Sequence, residues 1–408
     1  MTNTVRERVD ATIERRERFM TQNYPRWGIT VVEGSGCEFT DSTGTTYLDL
    51  FAGTGATILG HCHPELVAAA TEQASKLWHV GNLLDNEPQS LLAEAIARHG
   101  FGGRSCFAHS GSDSNEAAFK LVRLYGRRDG RDRYKVIATD RAFHGRGFAA
   151  MNATSGEKAR KGYEPFLDGF SHVPYNDLAA MEAAIDDQTA AIIIEPIQGE
   201  GGVHVPDDDY LPGLRALCDR HDLLLILDEV WTGCGRTGQW FAYQASGITP
   251  DIMTLGKAVG CGLPVGVMCA SDRIADLFTV ASYGGVPHAS TLSGNCIPMA
   301  VSARMFEVVE RDGLVPRAGR LGNEVMSALR ERAGRLPIKD VRGRGLFIGI
   351  ELDDEYPRSA TEVVREALGR GVLLGSAGER VLRFAPAIIV SESQLERGVQ
   401  MIADVLGS

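Results

Sequence analysis

Two residues at the ends of apolar runs carry the chemistry of this chain. Leu223-Leu224-Leu225-Ile226-Leu227 reads as a strand buried on both faces, and it delivers the carboxylate of Asp228. Ile252 to Leu255 reads the same way and, after Gly256, delivers the amine of Lys257. Earlier, His109-Ser110-Gly111-Ser112 follows the apolar run Arg104 to Ala108 and precedes a helix predicted from about Asp113. There a glycine lets the backbone approach a ligand, free amides point outward, and the helix dipole favours an anion. An acid, an amine and a phosphate cup are the fixtures that pyridoxal phosphate requires. The lysine condenses with its aldehyde, the acid keeps the pyridine nitrogen protonated so that the ring acts as an electron sink, and the cup holds the phosphate. Taken singly, each has an ordinary explanation: a salt bridge or helix cap for Asp228, a turn for Ser110 to Ser112. Their order, at the strand ends where open α/β sheets bind ligands, points to one site.

The elements that must position these groups alternate along the chain. Besides the three runs above, Tyr134 to Ala138, Ala190 to Ile194 and Val265 to Cys269 read as buried strands. Amphipathic helical patterns lie between several of them, at Asn115 to Tyr125, Leu178 to Ile185 and Leu211 to Cys218. That alternation predicts an α/β fold with a mostly parallel sheet. Residues 29–50 have turn-punctuated β character, with turns at Gly34 to Gly36 and Asp41 to Gly44, and the tail mixes helices with strands at Leu346 to Leu352 and Val381 to Phe384. The expected organisation is a large domain over residues 60–305 and a smaller α+β domain built from both chain ends, 1–59 and 306–408. No repeat or long Pro/Gly linker separates them.

Composition excludes other classes. With 408 residues, 44% hydrophobic and 23% charged, the chain can bury a substantial interior. A net charge of −11 argues against a nucleic-acid reader, which needs a concentrated basic face. The first 19 residues interleave arginines with Glu7, Asp10, Glu14 and Glu17, which reads as a solvated helix rather than a signal or transit peptide. Eight scattered cysteines without a CxxC pair fit a reducing compartment, and a cytoplasmic location is expected. Lys257 does not belong to a P-loop, because Asp251 stands where the first glycine belongs and Ala258 where Ser or Thr belongs. No GxSxG elbow occurs, and Thr254 takes the place of the serine in an SxxK pattern, so serine hydrolysis lacks its parts. His61-Cys62-His63 stands before Pro64 without a second ligand group, and reads as a loop-to-helix junction rather than a metal site.

The ordered segments also resemble a family. Gly60 to Pro64, Ser110 to Ala118, Phe143 to Arg146, Glu195 to Val203, Leu227 to Val230, Gly235 to Gly238, Thr254 to Lys257 and Ser290 to Asn295 are similar to the motifs of class III (subgroup II) aminotransferases of pyridoxal-phosphate fold type I, and within them to the acetylornithine aminotransferases. The likeness covers nearly the whole chain and implies roles for its residues. Lys257 would bind the cofactor and shuttle a proton, and Asp228 would pair with the ring nitrogen. Phe143 would stack on one ring face and Val230 press on the other, with His144, Glu195 and Trp231 beside them. Ser110, Gly111 and Ser112 would hold the phosphate, joined by Thr291 from the neighbouring subunit of a homodimer. Arg146 would bind the distal carboxylate of an ω-amino donor, and Arg383 the α-carboxylate of glutamate. Glu200 would mask Arg383 while the donor is bound, and Tyr24 and Thr54 would contact substrate.

The reaction so implied is ping-pong transfer of an amino group from N2-acetylornithine, or a similar N-acylated diamino acid, to 2-oxoglutarate. GABA or another ω-amino donor, and an aminomutase or racemase of the same fold, remain alternatives; a non-catalytic relative is disfavoured by the presence of both Lys257 and Asp228. Departures from the family pattern are Trp231 in place of a common Gln, Thr54 in place of a Tyr, Ala56-Thr57 in place of Val-Asn, His109 before Ser110 where Asn is usual, and Asp113-Ser114 in place of Glu-Ala beside the phosphate cup; they leave transamination intact and bear on the choice of donor. Arg342, Arg344 and Arg380 are expected to be surface ion pairs.

Overall fold

The computed structural model describes residues 5–408. The charged start of the chain forms the helix Val5–Phe19; the first four residues, and the side chains of Glu7 and Asp10, lie outside the described residues. Three short strands follow, β1 (Val31–Ser35), β2 (Glu38–Asp41) and β3 (Thr46–Asp49), in an antiparallel meander.

The central sheet uses β4 (Arg104–Ala108), β5 (Lys135–Thr139), β6 (Phe170–Val173), β7 (Thr189–Ile194), β8 (Leu224–Asp228), β9 (Ile252–Leu255) and β10 (Gly266–Ala270), in the order β4-β10-β9-β8-β7-β5-β6. From β9 to β6 every neighbour is parallel, whereas β10 runs antiparallel to both β9 and β4. Strands β7 to β10 are buried along their whole length, which is why they read as unbroken apolar runs. Two elements depart from expectation. β4 is not buried on both faces: it has a single neighbour in the sheet, and Arg104 is exposed. β6 escaped prediction because it is a four-residue edge strand carrying Ser171 and His172, too short and polar to show a period.

The remaining strands, β11 (Ile338–Arg344), β12 (Phe347–Leu352), β13 (Val372–Leu373), β14 (Gly375–Ala377) and β15 (Val381–Phe384), divide between two sheets. β11-β12-β15-β14 is antiparallel, and β13 pairs in parallel with β3, setting Val372 opposite Leu48. The N-terminal meander is thereby joined to the end of the chain. Because β10 alone is reversed, β4 points the same way as β5, β7, β8 and β9. Their carboxyl ends gather His109, Phe143, Glu195, Asp228 and Lys257 on one edge of the sheet, where ligands bind in such folds. Among the described residues no helix is long and apolar enough to cross a membrane.

Candidate active site

Asp228, the last residue of β8, is 3% exposed and held by three donors. Its Oδ2 accepts from Asn115 Nδ2 and His144 Nδ1, each at 2.8 Å, and its Oδ1 accepts from the Val230 amide at 3.0 Å. Asn115 is itself aimed: Thr254 Oγ1 on β9 donates to its Oδ1 at 2.7 Å, and its Nδ2 also reaches the His144 carbonyl at 2.7 Å. Each partner left unpaired at such depth would cost about 1–3 kcal/mol, so the network fixes one orientation of the carboxylate. Neither Asn115 nor Thr254 is among the site residues expected from the sequence, although both lie in family-like segments. Their signal was a polar residue on a face that otherwise buries apolar ones, one turn into the helix and within β9.

Lys257 follows β9 and Gly256 and opens a single 3-10 turn with φ +46°. Lysines seldom adopt that conformation, and its persistence here fits a constrained functional position. Its Nζ lies 4.2 Å from the centre of a Trp231 ring and has no hydrogen-bond partner among the described residues. Burial lowers its pKa to about 8, against the opposing pull of Glu200 and Asp228.

The helix expected from about Asp113 starts two residues earlier, as Gly111–Arg127. Ser110 caps it by accepting the Asp113 amide at 3.2 Å, so the first free amides belong to Gly111 and Ser112. A Cβ on Gly111 would lie 2.5 Å from Val230 Cγ2, which leaves room for glycine alone. The Ser112 hydroxyl accepts the amides of Arg146 and Gly147 at 3.1 and 2.9 Å, tying the cup to the loop after β5. Of the unusual residues beside the cup, Asp113 accepts the His109 amide at 3.2 Å, and Ser114 donates to the Leu255 carbonyl at 3.1 Å, anchoring the helix to β9.

Glu195, just beyond β7, bridges two loops: Oε1 accepts the Phe143 amide at 3.0 Å and Oε2 the Gly199 amide at 2.9 Å. Burial pushes its carboxyl up to about 7. Glu229, next to Asp228, turns away from the site. It accepts the Ala242 and Tyr243 amides at 3.0 and 2.9 Å, bonds Thr232, and burial raises it to about 7 as well. Glu200 accepts Arg383 Nη1 at 2.7 Å and Trp231 Nε1 at 3.2 Å. Burial works to raise the Glu200 carboxyl, but the Arg383 guanidinium, with Lys257 and the indole N–H, holds it below its usual value.

A cavity of about 580 Å³ is lined by Tyr24, Ser110, Gly111, Ser112, Phe143, His144, Arg146, Glu195, Asp228, Val230, Trp231 and Lys257. Arg146 is exposed, with its guanidinium 5.6 Å from the Phe143 ring centre and no carboxylate partner among the described residues. The structure does not bring every expected residue to this cavity. Thr54 (φ +61°) and Thr291 are exposed and do not line it, and neither do Glu200 and Arg383, which touch Trp231 on its wall. Arg342 and Arg380 are not simple surface pairs: Arg342 donates to the Gly202 and Val203 carbonyls as well as to Glu351, and Arg380 donates to backbone carbonyls of Asp354 and Tyr356. Arg344 does pair with the exposed Asp208. His61 bonds Asp49 at 2.9 Å, and no cluster able to hold a metal occurs among the described residues.

These residues fit pyridoxal phosphate. Among the described residues, one cavity presents an unbonded amine of lowered pKa, a carboxylate locked by three donors, a helix start where only glycine fits, and beside that carboxylate a buried imidazole whose Nε2 has no partner.

Comparison with known proteins agrees with that chemistry. Residues 19–406 match the family model described as Aminotransferase class-III. The acetylornithine aminotransferase of Caldanaerobacter subterraneus is 42% identical over 394 residues, covering 96% of this chain and 98% of that protein. The acetylornithine aminotransferase of Myxococcus xanthus is 40% identical, covering 95% of each. Among solved structures, the ornithine aminotransferase of Toxoplasma gondii superposes with a TM-score of 0.92 at 30% identity, over 98% of this chain and 94% of that one, and was seen with partial occupancy of PLP at its active site. A sheet that delivers an acid, an amine and a phosphate cup to one cavity, and a family match over nearly its full length, lead to the same place: the chain belongs to the class-III aminotransferases and is a pyridoxal-phosphate-dependent transaminase.

Proposed function

We propose that the enzyme moves the ω-amino group of N2-acetylornithine, or a similarly N-acylated diamino acid, to 2-oxoglutarate. The observation that carries this reading is the contrast between two arginines: Arg146 is exposed on the cavity wall with no carboxylate partner among the described residues, whereas Arg383 is 5% exposed and masked by Glu200 at 2.7 Å. An enzyme that alternates an ω-amino donor with glutamate must read carboxylates at two distances from the reacting nitrogen. Arg146 is suited to the donor's distal carboxylate and then to glutamate's side chain. Arg383 is suited to glutamate's α-carboxylate once Glu200 swings aside.

Bound pyridoxal phosphate supplies an electron sink beside the substrate carbon. Asp228, held as an acceptor by Asn115, His144 and the Val230 amide, is the group to face the ring nitrogen. Phe143 and Val230 are positioned to bound the ring, and Glu195 steadies the Phe143 backbone. Gly111 and Ser112 offer amides to the phosphate. Lys257 Nζ, once substrate has displaced it from the cofactor, would take the proton from the donor carbon that bears the nitrogen and pass it to the cofactor's aldehyde-derived carbon, and would run the same transfer in reverse for the acceptor. We assign the cofactor-holding domain to residues 60–305 and the smaller one to 1–59 with 306–408. The exposed Thr291, which does not line its own chain's cavity, is taken to complete the site of a second copy in a cytoplasmic homodimer.

The test is a donor panel: the loaded enzyme is mixed with N2-acetylornithine, ornithine or GABA, and the cofactor absorbance is followed through one half-reaction. Fastest conversion with the N-acylated donor supports the reading, and faster conversion with GABA replaces it. Isotopic nitrogen that stays with its substrate, without transfer to 2-oxoglutarate, would favour an isomerase.

A further inference from the structure

Trp231 touches every charged group of the proposed gate. Its Nε1 donates to Oε1 of Glu200, the same oxygen that accepts Arg383 Nη1. The Arg383 guanidinium carbon and Lys257 Nζ lie 5.0 and 4.2 Å from Trp231 ring centres. The indole has little freedom to turn. It stacks on Phe347 at 5.1 Å with 7° between planes, and a Cβ on Gly55 or Gly199 would sit 2.4 or 2.5 Å from its atoms. Packing therefore aims the N–H at Glu200. The ring also lines the cavity that Glu200 and Arg383 do not reach.

We infer that Trp231 is a specificity-determining residue: it acts as a third member of the gate, holding Glu200 on Arg383, so that substrates with a second carboxylate at glutamate's spacing are disfavoured relative to ω-amino donors. The inference rests on the gate reading above. To admit a second carboxylate, Glu200 must leave two donors rather than one, and the indole N–H is then stranded in a buried position unless the incoming group takes it up. Phenylalanine at 231 would keep the stacking on Phe347 and remove only the donor.

The experiment is calorimetric binding of glutarate, an unreactive dicarboxylate, to the holoenzyme. Trp231→Phe should bind it about tenfold more tightly than the unaltered enzyme, the scale of one hydrogen bond to a charged group. Glu200→Gln should also bind it more tightly. Combining the two should add nothing beyond Glu200→Gln, because the indole acts through that carboxylate. Unchanged affinity in Trp231→Phe, or full additivity in the double variant, overturns the inference. Arg383→Ala separates the two levels: if it leaves glutarate binding intact, the gate reading itself fails, whereas loss of binding there with no effect of Trp231→Phe removes Trp231 alone. A measurement without substitution at 231 guards against misfolding. Saturating glutarate should shift the same indole N–H resonance of the unaltered holoenzyme that Glu200→Gln shifts, and the absence of a shared resonance overturns the contact.

Discussion

Asn115 donates to Oδ2 of Asp228 across 113 residues of sequence, at 2.8 Å, and does so with its own oxygen occupied by Thr254. A helix and two neighbouring strands are thereby locked to one carboxylate. Asn115→Ala leaves the Thr254 hydroxyl and one lone pair of Asp228 without partners, and should destabilise the protein by about 2–4 kcal/mol. Urea unfolding of the apoprotein measures this, and a loss below about 0.5 kcal/mol, the range of ordinary surface changes, would mean that water replaces the amide.

Arg383→Ala should damage the glutamate half-reaction about 10²- to 10³-fold in kcat/KM, the scale of removing one partner of a buried charge pair, and the ω-donor half-reaction far less. Single-turnover kinetics of each half resolve the two. Equal losses would show that Arg383 holds the site's shape rather than a substrate carboxylate.

The lowered pKa of Lys257 has a consequence for stability in the apoprotein. The folded chain binds this proton more weakly than the unfolded chain, so the stability contributed by this group rises as pH climbs from about 8 towards the usual 10.5. The rise should be a few kcal/mol at most, at ~1.4 kcal/mol per pK unit. Lys257→Met should flatten that segment of the stability curve and abolish turnover of the loaded enzyme. A slope between pH 8 and 10 that is identical in both proteins would refute the assignment.

Arg236 is fully buried, and its guanidinium donates to the carbonyls of Ala385, Pro386 and Gly55 at 3.2, 2.8 and 3.1 Å. Burial lowers its pKa to about 10. It joins the chain just beyond Arg383 to the turn that packs on Trp231. Arg236→Met removes a costly buried charge but strands three carbonyls, and should destabilise by about 3 kcal/mol or more. Thermal or urea unfolding decides, and a variant more stable than the parent would show that the charge cost outweighs the bonds.

The local pattern of the chain determined much of this. Apolar runs ending in Asp228 and Lys257, and a Ser-Gly-Ser turn before an amphipathic helix, are visible because a strand buried on both faces writes itself as consecutive apolar residues and a helix start as a capping signal. The family motifs, spread over the whole length, carried the fold and the cofactor. Only the tertiary structure decided which strands are neighbours. The reversal of β10, the edge positions of β4 and β6, and the pairing of β13 with β3 follow from hydrogen bonds between segments far apart in sequence. The same holds for the site. That Asn115 and Thr254 aim Asp228, and that Trp231 shares an oxygen of Glu200 with Arg383, depends on side chains meeting across elements, where no spacing in one segment can register them.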